Sequence, residues 1–310
     1  MSISLYDIKA AHERIKPHIH MTPVVTSERL DEMTGCELFF KCENLQKAGA
    51  FKSRGAVNAV FSLPESKLER GVATHSSGNH GAALARAAAL RGMNAYIVIP
   101  ENAKSVKKDA ILGYGAKIIE CESTLKAREE MLEKVVLETK AHVVHPYDDD
   151  DVIAGQGTAA LELMDQVANL DAIMTPVGGG GLLAGCAIAV HGQLACFAAE
   201  PEQADDAYRS LRSGKLVKNH VPNTICDGLQ TTLGIRNFEI ICGNVSEIFL
   251  VSENEIIDAM TLIWTRLKLV VEASSAVTFA AVLRNREIFS GQHVGLILTG
   301  GNVDLADLPF

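Results

Sequence analysis

"TPVGGGGLLAG", Thr175 to Gly185, decides how the chain is read. An apolar run, "DAIMTPV" from Asp171 to Val177, ends in four consecutive glycines, and an apolar helical pattern starts directly after them. Four residues without Cβ let backbone N–H groups close around a guest, and the start of the helix adds positive potential. A phosphate group suits that combination. The spacing is not that of a P-loop, because no Lys-Ser or Lys-Thr step follows. Nor is it G-x-G-x-x-G with an acidic residue at the next strand end. A flexible turn is the competing reading, but four adjacent glycines there weaken the helix with no packing return.

Outward from this junction the same alternation recurs. "ELFFKC" (Glu37–Cys42) precedes a helical pattern from Lys52, and "GVATHS" (Gly71–Ser76) precedes "GNHGAALARAAALRG" (Gly78–Gly92). "NAYIVIP" (Asn94–Pro100) precedes "KSVKKDAILGYG" (Lys104–Gly115), and "AKIIEC" (Ala116–Cys121) precedes a charged helix running to Lys140. "VGLILTGG" (Val294–Gly301) comes near the end. This pattern predicts an α/β fold with mostly parallel sheets. The alanine-rich helix Gly81–Arg91 is expected to pack closely on a sheet. The one charge run, "DDDD" at Asp148–Asp151, is placed to cap a helix starting near Val152.

A chain of 310 residues makes one large domain or two modest ones. With 47% hydrophobic and 22% charged residues it has the profile of a soluble globular protein with a sizeable core. The net charge of -9, from 29 basic and 38 acidic residues, leaves no electrostatic footprint for nucleic acid. No apolar run approaches the roughly 20 residues of a membrane helix. The opening "MSISLYDIKAAHERIK" turns polar at once, without an apolar signal core, so a cytoplasmic protein is expected. Cys36, Cys42, Cys121, Cys186, Cys196, Cys226 and Cys242 are scattered and form no C-x-x-C pair, which argues against zinc and a disulfide framework. They read as reduced thiols, mostly buried.

Three further junctions bear on chemistry. "HSSGNHG" (His75–Gly81) bunches hydroxyls, an amide and an imidazole where a helix begins. Such a group can hold a carboxylate, or it can be an ordinary helix cap. "LILTGGNVDL" (Leu296–Leu305) puts the Thr299 hydroxyl at the carboxyl end of a strand, where ligands sit in open α/β sheets. In "KAGAFKSRGA" (Lys47–Ala56), Lys52 follows an apolar Phe51, and Gly49 and Gly55 permit close backbone approach. Lys52 is either a solvated charge or a lysine able to lose its proton and attack a carbonyl. A lysine, a phosphate cup and a hydroxyl at a third strand end together fit a pyridoxal phosphate site. A noncatalytic phosphometabolite-binding protein would use the same cup and need no lysine chemistry.

"KCENLQKAGAFKSRGA", "SSGNHG", "HPYDDDDVIAGQGT", "PVGGGGLLAG" and "TGGNVDL" together resemble the fold-type II (tryptophan synthase β-like) pyridoxal phosphate enzymes, in their serine racemase and serine/threonine dehydratase branch. The resemblance runs from about Leu5 to Leu305. It implies two open, twisted, mostly parallel sheets flanked by helices. It also implies a large domain from residues 1–70 and 149–310, a small mobile domain over 71–148, an active site between them, and a homodimer. The implied reaction is β-elimination of water from L-serine or L-threonine, giving ammonia and a 2-oxo acid, with serine racemisation as a companion activity. 3-Hydroxyaspartate dehydration is the alternative within this chemistry. A β-replacement synthase is a third reading, disfavoured only by resemblance.

The resemblance carries over to particular residues. Lys52 would bear the cofactor and take the Cα proton. Gly178, Gly179, Gly180, Gly181 and the N–H of Leu182 would hold its phosphate, and Asn79 would meet its ring hydroxyl oxygen. Thr299 would face the pyridine nitrogen. A neutral hydroxyl cannot protonate that nitrogen as a carboxylate would, so charge at Cα is poorly held and prompt loss of a β-leaving group is favoured. Ser76, Ser77, Asn79 and His80 would cradle the substrate carboxylate, with Ser77 opposite Lys52 across the substrate plane. Arg128 matches a substrate-proximal arginine, although its helix "TLKAREEML" also suits a surface charge. Tyr147 stands where dehydratases carry an aromatic and some animal racemases carry Asn. In "EPEQADD", Glu200, the Ala204 carbonyl and Asp206 match a site for Mg²⁺ or Ca²⁺, with Mn²⁺ as a further candidate. These are hard oxygen donors, in a turn that spacing alone would read as solvated. Lys47, Tyr114, Lys268 and Asn302 match an interfacial ATP site of some relatives, but Ala48 and Ala82 replace polar residues expected there.

Overall fold

The structure is a computed structural model that describes residues 3–76, 78–103 and 105–310. Its strands, in chain order, are β1 (Val24–Val25), β2 (Glu37–Cys42), β3 (Val72–His75), β4 (Ala95–Pro100), β5 (Lys117–Cys121), β6 (His142–Val143), β7 (Ala172–Pro176), β8 (Ala195–Pro201), β9 (Glu247–Val251) and β10 (His293–Leu298). They form two sheets. One has six strands in the order β1-β2-β10-β7-β8-β9, and the other has four in the order β5-β4-β3-β6. Every pairing is parallel except β1 with β2. The expected α/β fold with two mostly parallel sheets is what the chain adopts.

Parallel strands are covered by helices on both faces, so alternate side chains must enter different cores. In β7, Ile173 joins a core with the helices Asp150–Gln166 and Gly181–Val190, while Met174 joins one with Glu253–Leu262 and Ala273–Arg284. In β10, Ile297 faces the first core and Leu296 and Leu298 face the second. The smaller sheet repeats the scheme, with Ile97 on one side of β4 and Val98 on the other. The alanine-rich helix, Asn79–Leu90, packs on β3 and β4 and on the helix Lys52–Ser62. Asp149 caps the helix Asp150–Gln166, its side chain accepting from Val152 N at 3.0 Å.

Helix Lys52–Ser62 is held from two sides. At Gly155 a Cβ would lie 2.6 Å from the Gly55 Cα, so the two helices meet backbone to backbone. Arg54, fully buried, bridges the carboxylates of Glu43 and Glu162, and Lys41 completes the group through Glu162 at 2.8 Å. Such a cluster fixes geometry more than it adds stability. It locks the first turn of this helix to the end of β2. Six cysteines are buried and Cys242 is exposed, all of them free thiols. Among the described residues no helix is long and apolar enough to cross a membrane.

Candidate active site

Loops beyond the carboxyl ends of β3, β6, β7 and β10 converge on a cleft of about 710 Å³. It brings together Lys52, Ser76, Asn79, His80, Arg128, the glycines 178–181, Leu182 and Thr299. Ser77 lies outside the described residues. Glu200, in β8, and Ala204 and Asp206, just past its end, do not line this cleft.

Lys52 opens its helix beside Phe51, with Nζ 5.2 Å from the ring centroid, and donates to the Pro146 carbonyl at 2.7 Å. Burial lowers its pKa from 10.5 to about 8, opposed by the negative field of Glu272. It is not a solvated surface charge.

The glycine loop leads into the helix Gly181–Val190, whose first N–H groups have no partner within the helix. Gly180 has φ 90, a backbone conformation that favours glycine. The glycines also serve packing, contrary to the expectation of no packing return. A Cβ on Gly179 would lie 2.3 Å from the Tyr147 ring, and one on Gly180 would lie 2.5 Å from Leu233 Cδ1. Tyr147 is pinned there by a 2.9 Å hydrogen bond between its hydroxyl and Thr231 Oγ1. Its ring meets His145 edge-on, with centroids 4.6 Å apart.

Asn79 and His80 begin their helix directly after Gly78. His80 Nε2 lies 3.2 Å from the Val144 carbonyl, and burial holds its pKa well below 6.5. The ring is therefore neutral, and Nε2 carries the proton that it donates. His145 is also neutral, with its pKa lowered to about 4 by burial. Its Nδ1 accepts from Asp148 N at 2.9 Å, which leaves the proton on Nε2. Thr299 Oγ1 is 3.0 Å from Ser275 Oγ. Arg128 is half-buried at the cleft edge, and its Nε donates weakly to Thr124 O at 3.4 Å.

Three ionisable groups in this cleft, Glu272, Asp227 and Lys107, escaped the reading of the sequence. Glu272 accepts from Asn79 Nδ2 on both oxygens, at 3.0 and 3.1 Å. Burial and the nearby charge of Asp227 raise its pKa to about 8. Lys107, on the helix Ser105–Leu112, forms an ion pair with Asp227 across the cleft. A lone acid before "ASSAV" has the look of a helix cap, so the sequence carried no signal for Glu272.

The acidic turn is buried, not solvated. Glu200 and Asp206 are fully buried and Ala204 is 1% exposed. Glu200 accepts from Ala207 N at 3.1 Å and Tyr208 N at 2.8 Å. Asp206 Oδ2 accepts from Leu233 N at 2.8 Å, while its buried Oδ1 has no partner. Burial pushes both carboxyls above their ordinary pKa values, with each group near the other's charge in the case of Glu200. An orphaned carboxylate oxygen beside a second carboxylate fits a hard cation. Among the described residues no group of three His, Cys, Asp or Glu side chains could hold a metal. The site has two carboxylates, with any further oxygen coming from the backbone. It also touches the cleft indirectly, because Leu233 packs against Gly180.

The profile of the family described as "Pyridoxal-phosphate dependent enzyme" matches residues 15–300, and the chain belongs to that family. It is 52% identical to a serine racemase of Dictyostelium discoideum over 99% of this chain and 97% of that one. It is equally 52% identical to a beta-hydroxyaspartate dehydratase of Paracoccus denitrificans (strain Pd 1222) over 98% of each. The crystal structure of serine racemase from Dictyostelium discoideum superposes with a TM-score of 0.94, covering 98% of this chain and 100% of that one at 52% identity.

Proposed function

We propose that this protein removes water from L-serine or L-threonine in a pyridoxal phosphate-dependent β-elimination, releasing ammonia and a 2-oxo acid, with serine racemisation as a second activity. The observation that carries the reading is a half-buried lysine of lowered pKa in one cleft with the glycine loop, Asn79 and Thr299. These residues fit the cofactor: an amine ready to lose its proton, a helix start for the phosphate, and a hydroxyl at the end of β10.

Bound in the cleft, the cofactor supplies the electron sink for the charge released at Cα. Lys52 Nζ would hold it covalently and then serve as the base for the Cα proton. The N–H groups of Gly178–Gly181 and Leu182 would bind its phosphate, Asn79 its ring hydroxyl oxygen, and Thr299 its pyridine nitrogen. Ser76 and Ser77, with the backbone N–H groups of Asn79 and His80 at the start of their helix, would hold the substrate carboxylate. Movement of the segment 71–148 over the cleft would exclude water. Glu200, the Ala204 carbonyl and Asp206 would hold Mg²⁺ or Ca²⁺, with Mn²⁺ as a substitute. A homodimer and an ATP activator site including Lys47, Tyr114, Lys268 and Asn302 rest on resemblance alone, and a cytoplasmic location rests on the composition and apolar patterning of the sequence.

A second substrate reading, 3-hydroxyaspartate, is favoured by Arg128 and Lys107 in the same cleft. A second substrate carboxylate would meet them. The test is a set of steady-state assays on L-serine, D-serine, L-threonine and 3-hydroxyaspartate, with and without Mg²⁺. A 2-oxo acid from L-serine or L-threonine supports the first reading, and preferential turnover of 3-hydroxyaspartate supports the second. A colourless protein that cannot be reconstituted with the cofactor would leave only a phosphometabolite-binding role.

A further inference from the structure

Both polar atoms of the Asn79 side chain are already engaged. Nδ2 faces both carboxyl oxygens of Glu272, at 3.0 and 3.1 Å, and Oδ1 accepts from Asn302 Nδ2 at 2.9 Å. Asn302 Nδ2 also donates to the Ala48 carbonyl at 2.9 Å. The carboxyl oxygens call for an N–H edge, and the Asn302 amino group calls for an oxygen, so the two neighbours impose one orientation on the Asn79 amide.

The backbone leaves Glu272 little choice of position. It stands just before the helix Ala273–Arg284, and its N–H donates to Gly300 O at 3.0 Å. A Cβ on Gly300 would lie 2.7 Å from Glu272 Oε1, and one on Gly49 would lie 2.3 Å from Asn302 Oδ1. Two glycine positions therefore make room for these side chains. Glu272 is only 6% exposed, which shields its hydrogen bonds from competing water.

We propose that Glu272 is a positioning residue for the cofactor: it holds the Asn79 amide so that the remaining N–H of Nδ2 serves the ring hydroxyl oxygen. This rests on the reading that Asn79 meets that oxygen. Loss of Glu272 leaves Nδ2 without its acceptor and the amide held from one side only.

The test is reconstitution of the apoprotein with pyridoxal phosphate, reading the equilibrium affinity and the visible absorption band. Glu272→Met and Glu272→Gln are compared with wild type, each with and without Asn79→Ala. Glu272→Met, which removes the acceptor at similar length, should weaken cofactor binding about tenfold or more and shift the band. Glu272→Gln keeps an acceptor for Nδ2 and should stay within about threefold of wild type. In the Asn79→Ala background, Glu272→Met should add little, because residues acting through one contact are not additive. If Glu272→Met does not fold, Glu272→Ala takes its place in the same cycle. An unchanged affinity and band in the Met or Ala variant overturns the proposal, as does an equal loss in both backgrounds. An Asn79→Ala protein that matches wild type in both readouts overturns the assignment of Asn79 itself, and this proposal with it.

Discussion

Lys52 Nζ donates a hydrogen bond to the carbonyl oxygen of Pro146 at 2.7 Å, linking the first turn of helix Lys52–Ser62 to the loop that follows β6. The contact aims the amine across the cleft, and burial brings its pKa down to about 8. On the proposed reading, Lys52→Ala should abolish turnover, with a loss of many orders of magnitude, because the base and the covalent anchor would disappear together. The visible band bleached by borohydride in wild type should be missing from the variant. Retention of about a tenth of wild-type activity without added amine would show that Lys52 is not the base.

Glu272 gives the apoprotein a pH signature. In the unfolded chain it loses its proton near the ordinary value of 4.5, whereas in the folded chain it keeps the proton up to about pH 8. Across that window the folded state binds the extra proton, so this group makes stability fall as pH rises. Glu200 and Asp206 act in the same direction. Neutral His80 and His145 act oppositely, costing stability as pH falls below their ordinary 6.5. Glu272→Gln imitates the protonated acid at every pH and isolates its share. In thermal melts of apoproteins the variant should match wild type near pH 4 and gain on it progressively toward pH 8. A constant difference between the two curves would mean that Glu272 does not titrate in this window.

How far this was legible in the sequence depended on the length scale of each signal. β2, β4, the helix from Lys52 and the glycine junction were visible because runs such as "ELFFKC" and "NAYIVIP" are β-rich and end at turn residues. β8, "ACFAAEP", is alanine-rich and lacks β-branched residues, so its local propensity is weak. β1 and β6 are two residues each, exist through pairing with β2 and β3, and have no period to detect. The candidate site divides in the same way. Lys52 and the glycines sit in contiguous motifs. Glu272 takes its meaning from Asn79, 193 positions away, and the packing role of Gly179 comes from Tyr147 in another loop.

The buried acids at the end of β8 should make the protein respond to divalent cations. Without one, two carboxyls share a dry site, and both have raised pKa values. A chelator should lower the melting temperature or the activity, and Mg²⁺, Ca²⁺ or Mn²⁺ should restore it. Cation binding must displace the protons these acids retain, so restoration should be stronger at higher pH. Asp206→Asn is the informative variant, since its amide oxygen can still accept from Leu233 N while the charge is gone. It should fold and ignore both chelator and cation. An unchanged melting temperature in wild type with and without chelator would remove the site.

Ser77→Ala should separate elimination from racemisation. Racemisation requires a proton taken from one face of Cα and another delivered to the opposite face. Lys52 sits at the start of its helix and is tied to Pro146, and on the proposed reading it would serve only one of them. Ser77 is the residue the resemblance places opposite. In the sequence it lies between Ser76 and Gly78, which both line the cleft. On the proposed reading, elimination from the L-enantiomer needs no second delivery, since Lys52 would remove the proton and the β-hydroxyl would depart. Loss of Ser77 Oγ should therefore suppress racemisation and D-serine elimination far more than L-serine or L-threonine elimination. Some loss of L-activity is also expected, because a hydrogen bond to the substrate carboxylate contributes roughly 1.5–3 kcal/mol. Chiral chromatography of the serine pool, run beside a 2-oxo acid assay, measures both arms. A variant that racemises as fast as wild type would reduce Ser77 to a helix cap, and a wild type that forms no D-serine would be a dehydratase alone.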